Sequence, residues 1–102
     1  MRQQIDELVR SQEPLLVWGT GTLTRRLLAT TPLAQANIVA FIDSSAPAAE
    51  RRCAGREIVA PQRLAGRTES ILICSKAFET EIYRTIREQL RLPNPIVTLR
   101  PT

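Results

Sequence analysis

A chain of 102 residues, 43% of them apolar and only 4% aromatic, has enough material for one small domain with an aliphatic core. Its formal charge is +4, carried almost entirely by arginines strewn along the chain, and not by the clustered basic face with stacking aromatics that nucleic-acid binding needs. There is no histidine, which removes the commonest general base and metal ligand.

Arg2 to Ser11 places Ile5, Leu8 and Val9 at helical spacing, which predicts a leading helix within residues 1–13 that stops before Pro14. An α/β core is then expected over residues 14–100. Leu15–Gly19 reads as a strand buried on both faces, because its four leading residues are all apolar. The chain turns there through Gly19-Thr20-Gly21-Thr22 into a helix that shows Leu23, Leu27 and Leu28 to the sheet and ends before Pro32. Gly19 suits the tight turn, and Gly21 lets a pyrophosphate approach the backbone at a helix N-terminus. Thr24 holds the third position of this G-x-G-x-x-T motif, where glycine or alanine is usual. Either Thr20 or Thr22 is placed to cap the helix through its hydroxyl.

Asn37–Asp43 is a second buried strand ending in an acid. Asp43 follows Gly19 by 24 residues, near the usual place of the carboxylate that binds a ribose hydroxyl. Ser44 to Arg56 is small, polar and charged and predicts a loop, after which Glu57-Ile58-Val59 is extended and Pro61 opens a brief helix to Leu64. Ser70–Ser75 is a third strand, with Cys74 read as a small core residue. Between Ala77 and Leu90 a long helix is expected to bury Phe78, Ile82, Ile86 and Leu90, with Arg84 and Glu88 paired one turn apart. Ile96–Leu99 closes the chain as a last strand.

Alternating strands and helices predict a parallel sheet of about four to five strands with helices on both faces and Leu15–Gly19 at its centre. Ligands bind such folds where the strand order reverses, here between the Gly19 turn, Asp43 and Ser75. Each of these residues has a plainer role as well. The glycines serve a turn, Asp43 caps a turn with Ser44 and Ser45 following it, Ser75 and Lys76 cap the last helix, and Arg25 and Arg26 are surface arginines of the helix after the first strand. Glu79 and Glu81 point to different helix faces and form no catalytic carboxylate pair. No nucleophile–base set, no metal cluster and no catalytic residue is read, so an enzyme acting alone is not expected. Neither a signal peptide nor a membrane-length apolar run is found, which makes the cytoplasm the expected location.

The motifs, taken together, resemble a bacterial domain family. They are Trp18-Gly19-Thr20-Gly21, Phe41-Ile42-Asp43-Ser44, the stretch Gly55-Arg56-Glu57-Ile58-Val59-Ala60-Pro61-Gln62-Arg63-Leu64, Ile71-Leu72-Ile73-Cys74-Ser75, Phe78-Glu79-Thr80-Glu81-Ile82 and Pro93-Asn94-Pro95-Ile96-Val97-Thr98-Leu99. The chain resembles the Rossmann-like accessory domain found C-terminal to some bacterial S-adenosylmethionine-dependent class I and sugar methyltransferases. It is also similar to the N-terminal nucleotide-sugar-binding domain of sugar O-acyltransferases and of polysaccharide-biosynthesis epimerases. Over about residues 14–99 the resemblance implies a single small three-layer Rossmann-like domain. It implies a nucleotide, nucleotide-sugar or NAD held at Gly19, Thr20, Gly21, Thr22, Asp43, Ser44 and Ser75. It further implies a catalytic domain in the same or a larger polypeptide as partner. Two alternatives stay open: an interaction or homodimerisation domain with no small-molecule ligand, and a fragment of an NAD-dependent oxidoreductase.

Overall fold

Two apolar clusters, one on each face of a single sheet, organise the protein. The computed structural model describes residues 2–44 and 52–99. Helix α1 is Arg2–Ser11, and strand β1, Leu15–Trp18, is buried along its whole length. Helix α2 spans Thr22–Thr30, a single 3-10 turn follows at Pro32–Gln35, and β2 is Ile38–Ile42. Strands β3, Arg52–Cys53, and β4, Arg56–Val59, form a hairpin. A second 3-10 turn at Pro61–Leu64 leads to β5, Ser70–Ile73. Helix α3, Glu79–Arg84, widens into a π turn at Thr85–Gln89, and β6 is Ile96–Thr98.

Among the described residues the sheet has six strands in the order β3-β4-β2-β1-β5-β6. β1 pairs in parallel with β2 on one side and with β5 on the other, so the expected central strand is central. The sheet is mixed, however, and larger than the four to five parallel strands expected. β3 runs antiparallel to β4, joined by Ala54 and Gly55, both at positive φ (49° and 77°), the conformation that lets a two-residue turn follow strand twist. Ser44 was expected to open a loop reaching Arg56, and residues 45–51 of it lie outside the described residues. Its last part is this hairpin.

Alternation sorts the core. Leu15 and Val17 join Ile5, Leu8, Leu27 and Leu33 on the face covered by α1, α2 and the first 3-10 turn. Leu16 and Trp18 join Leu64, Ile86 and Leu92 on the other. β2 breaks that alternation: Leu15 pairs with Ile38 but Leu16 with Ala40, leaving Val39 as a surplus residue, 36% exposed.

The last helix departs most from expectation. Ser75 Oγ accepts the Phe78 N–H at 3.2 Å, a turn that delays the helix to Glu79 and leaves Phe78 58% exposed. The π turn, seen in the Leu90 N–H donating to the Thr85 carbonyl at 2.8 Å, then shifts the helical phase. Ile86 is fully buried while Ile82 and Leu90 pack only in part. Arg84 and Glu88, expected to pair, form no ion pair among the described residues. Arg87 instead lies over the Tyr83 ring, 5.7 Å from its centre, and donates to the Leu92 carbonyl at 2.7 Å. Ile86→Ala should therefore cost about 2–5 kcal/mol, Ile82→Ala less, and Phe78→Ala under about 0.5 kcal/mol, as read from urea unfolding midpoints.

β6 is fastened by polar groups. The Pro95 carbonyl accepts from the Ile71 N–H at 2.8 Å, and Asn94 Nδ2 donates to the Glu69 carbonyl at 2.8 Å. Arg67 holds the Glu69 carboxylate, with Nη2 2.6 Å from Oε2 and Nε 3.2 and 3.1 Å from the two oxygens. That guanidinium holds the Glu69 carboxyl below the usual carboxylate range, against a smaller upward push from burial. A carboxyl depressed in the folded state contributes stability above its unfolded pKa and loses it as pH falls through the folded value. The difference in melting temperature between the native protein and Glu69→Gln should be widest near neutral pH and close below about pH 4.

Candidate functional site

Gly19 is where β1 must leave the sheet. Its N–H donates to the Ile42 carbonyl at 2.9 Å, and the neighbouring Trp18 carbonyl accepts from the Cys74 N–H at 2.9 Å, so the end of β1 is pinned from both sides. Its φ is +126°, and a Cβ there would lie 2.8 Å from the Cys74 carbonyl oxygen. Conformation and space both demand glycine. Thr24, fully buried, fills the room that a glycine would leave at the third position of the motif, and its Oγ1 donates to the Gly19 carbonyl at 2.9 Å. The threonine thus braces the turn from inside.

Gly21 is the opposite case. It is the N-cap of α2 at φ −86°, and a Cβ would meet nothing within 4 Å. It has no side chain to accept the first N–H groups of the helix, and the backbone there faces open space. The expected cap by Thr20 or Thr22 does not form. Thr22 is the first, exposed residue of the helix, and Thr20 Oγ1 donates instead to Asp43 Oδ2 at 2.6 Å. The ends of β1 and β2 are joined by this short charge-assisted bond. Asp43 is half-buried, and Ser44 beside it is exposed in a bend.

Ser75 stands apart. It follows β5, on the other side of β1 from Asp43, and its hydroxyl is used by the Phe78 N–H. Capping the turn before α3 is therefore its observed role.

Beside Thr20 a cleft of about 420 Å³ runs along the flank of α2, where Arg25, Leu28 and Ala29 line it. Its other wall is the hairpin, through Arg52, Cys53 and Ala54, with Ile58 of β4. So Thr20 and Arg25 line the cavity, Asp43 is bonded to Thr20 but lies outside the lining, and Arg26 is exposed on the helix outside it too. Sequence reasoning missed Arg52 and Cys53 as site residues. Their only signal was the small pair Ala54-Gly55 between two short polar stretches, a weak hairpin cue. Burial pushes the Cys53 thiol up, while Arg25 and Arg56 pull it down. Cys74 is buried, and its thiol is raised by burial too, against a hydrogen bond with Thr24.

Among the described residues, no group of three or more acids or cysteines is placed to hold a metal ion, and no helix is long and apolar enough to cross a membrane. Fold and cleft together define a small α/β domain with a mixed, mostly parallel sheet and a groove between α2 and the β3–β4 hairpin. A family model described as C2185-like, N-terminal, matches residues 11–95. The chain belongs to this C2185-like N-terminal family. No curated protein and no solved structure matches it.

The two glycines should respond oppositely to one added methyl. Gly19→Ala should lower stability by about 2 kcal/mol or more, since it adds a backbone clash to a strained φ. Gly21→Ala should cost less than about 1 kcal/mol, the ordinary price of a poorer N-cap. Thermal and urea unfolding of both variants would measure this.

Proposed function

We propose that the chain is a Rossmann-like binding module that takes a nucleotide or nucleotide-sugar, NAD included, at the mouth of the groove beside Thr20. The observation that carries this reading is the Thr20–Asp43 pair, whose Thr20 lines a 420 Å³ cleft, next to an open Gly21 and an uncapped helix start. Open N–H groups and the helix dipole favour an anion. The Asp43 carboxylate, held in place by Thr20, accepts hydrogen bonds from ribose hydroxyls. A volume of this size suits a small molecule.

The module works with a catalytic domain of the same or a larger polypeptide, a methyltransferase or another sugar-modifying enzyme. An N-terminal family description is in keeping with a domain that has a neighbour. On this reading the chain contributes binding and not chemistry.

A second reading, an interaction or dimerisation domain, is favoured by Phe78 and Tyr83, which are 58% and 45% exposed at the last helix. Titration calorimetry with UDP-sugars, dTDP-sugars, NAD, NADP and S-adenosylmethionine separates the two. Binding of a nucleotide-sugar or NAD at micromolar or weaker affinity is expected, with NADP poorer because Asp43 repels a 2′-phosphate. Gly21→Val should abolish it and Asp43→Ala should weaken it while the fold survives. If no ligand gives heat at millimolar concentration with the fold intact, the interaction-domain reading takes its place.

A further inference from the structure

Arg25, Arg52 and Arg56 gather around Cys53, and among the described residues none of the three forms an ion pair, although Glu57 stands opposite Arg52 in the hairpin. Arg25 and Arg52 line the groove, and Arg25 and Arg56 both act on the Cys53 thiol. Arg52 Nη1 donates to the Gly55 carbonyl at 3.2 Å. Arg56 donates from Nε to the Ile38 carbonyl at 2.8 Å and from Nη1 to the Ala54 carbonyl at 3.1 Å. Carbonyl partners orient a guanidinium without cancelling its charge, and they use one or two of its five donors. The ion pairs among the described residues use other arginines: Arg2, Arg10 and Arg67. A cleft with low-dielectric walls focuses a charge left over in this way.

The rest of the lining fits a ligand that is charged at one part only. Leu28 and Ala29 of α2 and Ile58 of β4 give the groove an apolar floor. A guanidinium fork matches phosphate oxygens two at a time, and here one fork comes from the helix wall and another from the hairpin wall. Neither Gly19 nor Gly21 lines the cavity, although Thr20 between them does.

We propose that the groove binds a diphosphate-bearing small molecule whose phosphates are held by Arg25 and Arg52 as well as by the glycine turn. This rests on reading the chain as a nucleotide-type binding module and names the residues that read the phosphates. The uncharged part of the ligand then lies on Leu28, Ala29 and Ile58, and the sugar hydroxyls turn toward Asp43.

Cys53 reports occupancy directly. N-ethylmaleimide labelling, followed by peptide mass spectrometry, compares half-buried Cys53 with buried Cys74 as internal reference. Inorganic pyrophosphate and UDP are the probes, and calorimetry with the same probes gives a readout independent of thiol reactivity. At ten times its dissociation constant each probe should slow Cys53 labelling about tenfold, and Cys74 labelling, which needs the fold to open, reports general stabilisation separately. Arg25→Gln and Arg52→Gln, both at exposed positions, should remove the protection and the heat with melting temperatures preserved. Asp43→Ala should keep the pyrophosphate effect and lose only the added affinity of UDP. If UDP binds and depends on Gly21 and Asp43 but not on either arginine, the module reading stands and this inference fails. If neither probe protects Cys53 or gives heat, this inference fails, and the module reading fails with it when the nucleotide-sugars and NAD give no heat either.

Discussion

The approach of Gly19 to the Cys74 carbonyl is the constraint on which the rest of the architecture depends. β1 is buried on both faces, so its backbone polar groups have to be satisfied within the sheet until the chain can escape. Ladder bonds from β2 and β5 continue to Trp18 and Gly19, and only a residue without a side chain can then turn so close to Cys74. Thr24 reaches back to the Gly19 carbonyl and ties the direction of α2 to that turn. The position of α2 decides in turn where its flank meets the β3–β4 hairpin. The groove is a result of how the first strand ends.

Both signs of charge stand at the groove. An acid, Asp43, is held by Thr20, which lines it, and Arg25 and Arg52 line its two walls. A ligand with hydroxyls at one end and phosphates at the other has one favourable direction in such a field and one unfavourable one. Hydrogen bonds already present fix several of these groups. Their ordering cost is therefore largely met before any ligand arrives.

The parts of the fold legible in the sequence were those where burial dictates composition. β1, β2 and β5 are near-continuous apolar runs because both sheet faces are covered, and α1 shows its buried stripe at Ile5 and Leu8. The hairpin was not legible, since Arg52 to Arg56 has neither period nor hydrophobicity and its pairing is set by two residues at positive φ. Phe78 continued the period of Ile82 and Ile86, but a serine hydroxyl three residues earlier claimed its N–H. In the candidate site, the glycine spacing and the acid at Asp43 could be read from one strand each. That Thr20 serves Asp43, and that Arg52 faces the flank of α2, are tertiary facts with no local signature.

The surplus residue in β2 has a further consequence for how the chain tolerates changes of length. In a regular strand, one inserted or deleted residue reverses every side chain beyond it, which would turn Phe41 and Ile42 out of their clusters and swing Asp43 to the far face. Here the count is already odd. Ile38 keeps its register with Leu15, Ala40 keeps its own with Leu16, and Val39 stands between them belonging to neither. The strand has, in effect, an expansion joint. Removing one residue at Val39 closes the joint and leaves the acid-bearing end of β2 facing as before. The half of the strand that enters the sheet can thus vary in length while the half that serves the groove holds its orientation.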